Sequence, residues 1–335
     1  MIGWLTGARP PVSPCAVALL LAALVSAAPA PASAQTAAKI PGTSCTAFPA
    51  DSWWNADVSG LKVHPKSAAW MANMQPTRNL HPDFGPSYGA IPGPYGIPIT
   101  IVDGSHPKVK VRFDYADESD RVRYPLGPKT KVEGWSYTAG GDQHTITVDK
   151  STCRLYETFY TRRDGAKWIA GSGAVWDLGS NRLRRKNWTS ADAAGLPILP
   201  GLLRYDEVKR GKVDHAIRFT TNVTDKRFLW PARHQAGSVR DPNYPPMGAR
   251  FRLKASYRIK PGLRSDTKTV LKAMKRYGLV LADNGTPWFF QGAADRRWPE
   301  ALIVELKQIP ASAFEAVDTL PLRVSRNSMK VKPAP

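Results

Sequence analysis

The chain has 335 residues, of which 42% are hydrophobic and 22% charged, with 47 lysines and arginines against 27 aspartates and glutamates. This composition is too apolar for a disordered protein and too varied for a coiled coil or collagen. The formal net charge of +20 favours a neutral or acidic partner over a basic one. The single long apolar run lies at the N-terminus, which argues against a polytopic membrane protein.

Residues 1–34 are predicted to be a signal peptide cleaved after Ala34. Arg9 precedes an apolar stretch over residues 16–27, which is too short for a stable anchor, and small residues at 32–34 suit a peptidase site. The mature chain is therefore expected to be secreted or periplasmic, without a transmembrane segment. Its two cysteines, Cys45 and Cys153, are expected to form a disulfide in an oxidising compartment, with two separate buried thiols as the alternative.

The mature chain is predicted to have three parts. Residues 35–108 form a segment rich in proline and aromatic residues, which the disulfide holds on the core. Residues 109–322 form a β-rich core domain, and residues 323–335 form a basic, mobile tail. The prolines and glycines between Pro76 and Pro98 predict an ordered loop there.

Alternation of apolar and polar residues predicts most of the elements in residues 109–322. Strands are expected at 109–115, 144–149, 154–160, 174–178, 215–220, 251–257, 279–282 and 288–290. Asp283-Asn284-Gly285 predicts a tight turn. One helix is predicted from a Ser265 cap to Gly278, and a shorter one begins at Ser190. Many strands with few helices predict a mainly-β fold, an antiparallel sandwich or jelly roll in a single large domain.

Two carboxylates are the candidate catalytic pair. Glu157 shares a strand face with Leu155 and Phe159, and an apolar environment would raise its pKa as a general acid requires. Asp177 follows the glycine-containing segment 171–173 and is the candidate second carboxylate for glycoside hydrolysis. The alternatives are a salt-bridged Glu157 and an Asp177 that only ends a strand.

His215 is the third candidate catalytic residue, as a base near neutral pH, and a satisfied core histidine is the alternative. Residues 196–200 contain two Leu-Pro steps, which make this segment, here called the Leu-Pro crossing, stiff. It is expected to bring several charged side chains together. Further candidate substrate-binding residues are Asp83, Tyr88, His144, Trp176, Trp188, Asp192, Arg204, Asp206, Glu207, Arg233 and His234. Aromatic residues expected on loops, Trp53, Trp54, Tyr88, Trp135 and Trp188, suit stacking against sugar rings.

Three functional classes fit these observations. The first is a secreted carbohydrate-active enzyme, either a glycoside hydrolase or a lyase acting on an acidic, uronate-containing polysaccharide, in which arginines neutralise the uronate. The second is a non-catalytic glycan-binding or cell-envelope protein. The third is nucleic-acid binding through the basic run 181–186, and the lack of any nucleic-acid motif beside that run argues against it. No metal or cofactor motif is found, so no cofactor is expected, and calcium held by aspartates and carbonyl oxygens stays open.

Overall fold

The computed structural model describes residues 1–4, 7–8, 37–90, 92–138 and 140–333. The chain divides into two units, Met1–Ala34 and Gln35–Pro335, and the second contains every element described below. Most of the predicted signal peptide and its cleavage site lie outside the described residues. No helix in the described ranges is both long and apolar enough to cross a membrane.

The described part of the chain is built mainly from short strands. The strands are β1 (His81–Asp83), β2 (Ile99–Val102), β3 (Val111–Phe113), β4 (Thr145–Asp149), β5 (Arg154–Phe159), β6 (Arg162–Asp164), β7 (Lys167–Ala170), β8 (Ser172–Asp177), β9 (Ile217–Thr221), β10 (Asp225–Phe228), β11 (Pro246–Met247), β12 (Arg250–Leu253), β13 (Leu279–Asn284), β14 (Phe289–Gln291) and β15 (Phe314–Val317). The α-helices are α1 (Ser67–Ala72), α2 (Tyr205–Lys209), α3 (Ser265–Arg276) and α4 (Glu300–Leu306). The predicted mainly-β class with few short helices is confirmed.

Two larger sheets carry the fold. A six-stranded sheet has the order β1-β14-β9-β13-β12-β15, and a four-stranded sheet has the order β2-β4-β5-β8. A three-stranded sheet (β3-β7-β6) and a two-stranded sheet (β10-β11) complete the architecture. Both larger sheets are mixed, because β9 and β13 run parallel in one and β2 and β4 in the other.

One continuous hydrophobic core connects the six-stranded and four-stranded sheets. It includes Phe219 and Leu281 from the first sheet and Ile146 and Leu155 from the second. Helix α3 adds an apolar stripe to this core, as its sequence predicts. Ser265 is the first helical residue of α3, and the capping position before it is Arg264.

The N-terminal segment is an integral part of the fold. Residues 35–108 supply β1 to the six-stranded sheet and β2 to the four-stranded sheet, so the predicted boundary at residue 108 does not separate two parts. The predicted disulfide between Cys45 and Cys153 is present, with the two Cα atoms 5.5 Å apart. It joins residue 45 to the hairpin between β4 and β5, two predicted strands that pair antiparallel.

The C-terminal segment is packed, so the prediction of a mobile tail was wrong. Met329 is fully buried, and its amide donates to the carbonyl of Asn181 at 2.7 Å. The amide of Val331 donates to the carbonyl of Asp51 at 2.9 Å. Charge alone suggested mobility, whereas one buried methionine and backbone pairing on both sides hold residues 323–333 in place.

The short helix predicted from Ser190 was also wrong. The Ser190 hydroxyl accepts from the backbone amide of Asp192 at 2.9 Å and lies 2.5 Å from the carbonyl oxygen of Leu196. Serine and aspartate often bind nearby backbone groups in this way, which offers the backbone an alternative to helix. Residues 190–194 therefore form turns, and this loop becomes one wall of the site described next.

Candidate functional site

Glu157 is a buried anchor between the four-stranded sheet and the Leu-Pro crossing. Its carboxylate is fully buried and accepts hydrogen bonds from the amides of Ile198 at 3.0 Å and Leu199 at 2.9 Å, and from the Trp176 indole at 3.1 Å. Burial raises the pKa of Glu157 to about 7, against the opposing effect of these donors. The raised pKa agrees with the prediction, but three N–H groups of the protein already bind the carboxylate. The Glu157 predicted as catalytic therefore has the contacts of a structural residue.

Asp177 does not join Glu157. In the pairing of β5 with β8, Glu157 lies opposite Ala174 and Arg154 lies opposite Asp177. Residues 174 and 177 are three apart on one strand, so their side chains point to opposite faces of the sheet. The expected catalytic pair of Glu157 and Asp177 therefore does not form, and Asp177 accepts a hydrogen bond from the Gly179 amide at 2.9 Å in the turn after β8.

His215 belongs to a closed ionic cluster. Its Nε2 lies 3.1 Å from Glu207, its Nδ1 lies 2.8 Å from the carbonyl of Ala216, and Arg204 binds the other oxygen of Glu207. Burial raises the pKa of Glu207, but Arg204 and His215 outweigh it and lower that pKa to about 2. All three side chains are buried, so the predicted base His215 is a satisfied core histidine.

Two other predicted substrate-binding residues also lie in structural contacts. Asp206 pairs with Arg297 on the surface, with 2.9 Å between Oδ1 and Nη1. Arg233 donates to the carbonyl of Arg326 at 3.0 Å and so holds the C-terminal segment. Neither residue contributes to the cavities described below.

An acidic cleft lies where the C-terminal end of β13 meets the end of β5. Its cavity measures about 340 Å³. Its titratable wall residues are Glu118, Asp142, His234 and Asp283, and its apolar wall includes Tyr115 and Phe159. The volume falls within the range of small-ligand pockets. Three carboxyl groups in one cleft are notable because the chain as a whole is strongly basic.

A bulge in β13 directs Asp283 into this cleft. Leu281 pairs with Phe219 on β9, but Asp283 pairs with Thr220, so Ala282 is the extra residue. The bulge turns Asp283 away from the core face of Leu281 and onto the β9 face that carries Arg218 and Thr220. Its carboxylate lies 3.9 Å from Nη2 of Arg218.

The charge of Arg218 is already neutralised by another carboxylate. Asp192 is fully buried and accepts two hydrogen bonds from Arg218, at 2.9 and 2.6 Å. Two carboxylates therefore share one guanidinium, and Asp283 has the weaker contact. Burial and then the charge of Asp192 raise the pKa of Asp283 to about 8, so that it carries a proton at neutral pH.

His234 and Glu118 face each other across the cleft. The Nδ1 of His234 lies 2.8 Å from the carbonyl of Ala193, and its Nε2 lies 3.7 Å from Glu118. Gly195 permits this arrangement, because a Cβ there would lie 2.5 Å from the carbonyl oxygen of Trp188 and 3.2 Å from the amide of His234. The φ of Gly195 is +66°, in the left-handed region that favours glycine.

His144 supports the cleft from behind. Its Nδ1 lies 2.6 Å from Glu133, and its Nε2 lies 3.1 Å from the carbonyl of Ala191 on the cleft wall. Burial lowers the pKa of His144, but Glu133 outweighs it and raises that pKa to about 9. The imidazolium form suits both contacts, because it donates from each nitrogen to an oxygen.

An aromatic pocket of about 180 Å³ adjoins the acidic cleft, since Asp142 lines both. Tyr88 stacks on Tyr95 with 4.4 Å between ring centroids, and Trp135 donates to the carbonyl of Pro94 at 2.8 Å. Asp83 lies beneath Tyr95 and accepts a hydrogen bond from its hydroxyl.

An arginine pocket of about 480 Å³ contains the other predicted aromatic residues. Its walls include Arg154, Arg182, Arg184, Arg185, Trp176 and Trp188, together with Asp120 and Asp177. Trp53 and Trp54, by contrast, are fully buried in the core, so the prediction that they lie on a loop surface was wrong.

The structure thus brings together one part of the predicted set. His234 lines the acidic cleft, and Asp192 and His144 support it. Tyr88 lines the adjoining aromatic pocket, and Asp83 lies beneath Tyr95 of that pocket. Asp283, Asp142 and Glu118 were not predicted. Asp283 was assigned to a turn because simple alternation cannot indicate a bulge. Asp142 could have been proposed from the polar run Asp142-Gln143-His144, which precedes a predicted strand.

Within the described ranges, no group of three or more histidine, cysteine, aspartate or glutamate side chains is arranged to hold a metal ion. No protein-family model, curated protein or solved structure matches the chain. The function is therefore inferred from the residues that line the cavities.

Proposed function

We propose that this protein is a secreted glycoside hydrolase whose catalytic residues lie in the acidic cleft. The observation that carries this proposal is the presence of two carboxyl groups in one cavity, with Asp283 half-buried beside an already neutralised arginine and Asp142 exposed on the wall. Hydrolysis of a glycosidic bond requires one protonated carboxyl group and one carboxylate.

In this mechanism Asp283 is the general acid. It donates its proton to the oxygen of the departing sugar, and its raised pKa keeps that proton available at neutral pH. Asp142 acts on the opposite side of the sugar, as the base that activates water or as the nucleophile. The nearby aromatic pocket, with Tyr88 and Tyr95 stacked at its edge, offers a platform for the next sugar ring.

Secretion belongs to the same proposal. The N-terminal sequence supports export, and the Cys45–Cys153 disulfide is compatible with an oxidising compartment. A polysaccharide outside the cytoplasm is then the expected substrate.

A lyase is the second candidate, and the position of His234 favours it. The carbonyl of Ala193 accepts from Nδ1, which orients the Nε2 of His234 toward the cleft as a base for removing a proton next to a uronate. In this reaction His234 takes the proton as the C–H bond breaks, and the electron pair left on carbon forms a C=C bond. The C–O bond breaks with its own electron pair leaving on the oxygen of the departing sugar, which takes a proton from water.

Incubation of the purified protein with neutral and uronate-containing polysaccharides tests the proposal. Hydrolysis releases new reducing ends without an unsaturated product, whereas elimination gives an unsaturated sugar that absorbs in the ultraviolet. We expect the first result. Binding without any product would contradict the enzyme proposal and support a glycan-binding protein.

A further inference from the structure

The arginine pocket and the acidic cleft share a wall. Trp188 lines the pocket and its neighbour Thr189 lines the cleft. Likewise, Asp120 lines the pocket and Glu118 lines the cleft. Arg184 crosses this wall, donating to the carbonyls of Glu118 at 2.8 Å and Thr189 at 2.9 Å. A glycan longer than one sugar that enters the cleft therefore lies next to the arginine pocket.

The arginines of the pocket differ in how they are held. Arg184 is buried and pairs with Asp120. Arg154, Arg182 and Arg185 are exposed, and none forms an ion pair with a carboxylate in the described part of the chain. Among the described residues Arg154 forms no ion pair, although Asp149 and Asp177 lie opposite it on the neighbouring strands.

Guanidinium groups beside an indole ring suit a charged sugar. The guanidinium of Arg185 lies 5.7 Å from the centre of the half-buried Trp188 ring, and that of Arg184 lies 5.6 Å from it. Arginine binds carboxylate and sulfate oxygens in pairs, and an aromatic face packs against the C–H face of a sugar ring.

We propose that the arginine pocket binds an acidic sugar of the same glycan whose bond is cleaved in the acidic cleft. This inference rests on the proposed function and defines its substrate class. The sugar in the cleft is uncharged, because Glu118 and Asp142 would repel an anion there, and the neighbouring sugar carries a carboxylate or a sulfate group.

Calorimetric titration at low salt tests this inference with three probes. Trigalacturonate supplies carboxylates, its fully methyl-esterified form is the uncharged match, and a carrageenan tetrasaccharide supplies sulfates without carboxylates. We expect whichever of the two charged probes binds more tightly to exceed the affinity of the uncharged ester by about tenfold or more. The carboxylate and sulfate arms identify which anion the pocket accepts.

The double variant R182A/R185A should lose that preference by about tenfold or more. The double variant R258A/K260A removes the same charge from an exposed loop elsewhere and should bind like the wild type. Equal binding of charged and esterified probes, or unchanged binding by R182A/R185A, would overturn the inference. Tighter binding of a single-stranded oligothymidylate than of either charged saccharide would also overturn it, in favour of a nucleic acid.

Failure of the proposed function would look different. The titrations measure affinity, so they do not depend on turnover. Arginine-dependent binding by a protein that cleaves no glycan would contradict the hydrolase proposal and still support an acidic-sugar site in this pocket.

Discussion

Asp283 shows how one residue acquires acid chemistry from its surroundings. Arg218 lies near it, yet Asp192 takes both strong hydrogen bonds of that guanidinium. The remaining attraction is too weak to offset the burial of a second carboxylate, so Asp283 retains its proton.

This arrangement predicts a specific pH dependence. The acid must be protonated, so kcat/KM should fall as the pH rises through about 8, the raised pKa of Asp283. A pH–rate profile on a cleaved polysaccharide measures this alkaline limb. Activity that keeps rising beyond that pH would show that another group supplies the proton.

Glu157 is predicted to affect stability rather than turnover. Three N–H donors surround its carboxylate, so Glu157→Gln places an amide NH₂ against a donor and should lower the free energy of unfolding by about 1–3 kcal/mol. Urea titration measures the loss, and the folded variant should keep its rate. A variant of unchanged stability that has lost turnover would support the original catalytic assignment.

The pH dependence of stability gives a second test of Glu157. Its pKa is 4.5 in a model peptide and about 7 in the fold, so the folded state binds the proton more tightly. The corresponding part of the stability is full below about 4.5 and is lost as the pH rises toward 7. Subtracting the Glu157→Gln curve from the wild-type curve isolates this contribution.

At the scale of elements, the alternation of apolar and polar residues predicted strands but not the irregularities within them. The β4–β5 hairpin and helix α3 were predictable because each has a regular period and a clear turn or stop. The bulge at Ala282 was not predictable from alternation, because it involves residues distant in sequence: β9 pairs on either side of it, and the amide of Ala194 donates to the carbonyl of Ala282. The acid of the cleft depends on that irregularity.

The C-terminal segment gives a prediction at this scale. Met329→Ala should cost about 2–5 kcal/mol, because it leaves a cavity at a fully buried position. The matched control is Val324→Ala, which shortens an apolar side chain that is 50% exposed in the same segment and should change little. Hydrogen exchange should find the amides of Met329 and Val331 protected, and rapid exchange of both would contradict a packed segment.

At the scale of the whole molecule, the two larger sheets and the loops between their strands place the cleft. The acidic cleft draws residues from both larger sheets and from loops far apart in sequence, so no local pattern could indicate it. The class of fold and the disulfide were predictable from composition, alternation and cysteine count. The site required the tertiary packing that brings the ends of β13 and β5 to one cavity.

The disulfide should contribute strongly to stability. It closes a loop with a sequence separation of 108 residues, for which the chain-entropy model gives about 4–5 kcal/mol. Denaturant titration of the double variant C45S/C153S against the wild type measures this contribution. A loss below about 1 kcal/mol would mean that the unfolded chain is not restrained as the model assumes.

The most direct test of the account compares the cleavage rates of three variants on one polysaccharide. Asp283→Asn should lower the rate by about a hundredfold or more, because the amide cannot donate the proton. Glu157→Gln and Asp206→Asn should retain the wild-type rate per folded molecule, since the first anchors the crossing and the second pairs with Arg297 on the surface. A fully active Asp283→Asn variant, or an inactive Glu157→Gln variant that is folded, would contradict the account.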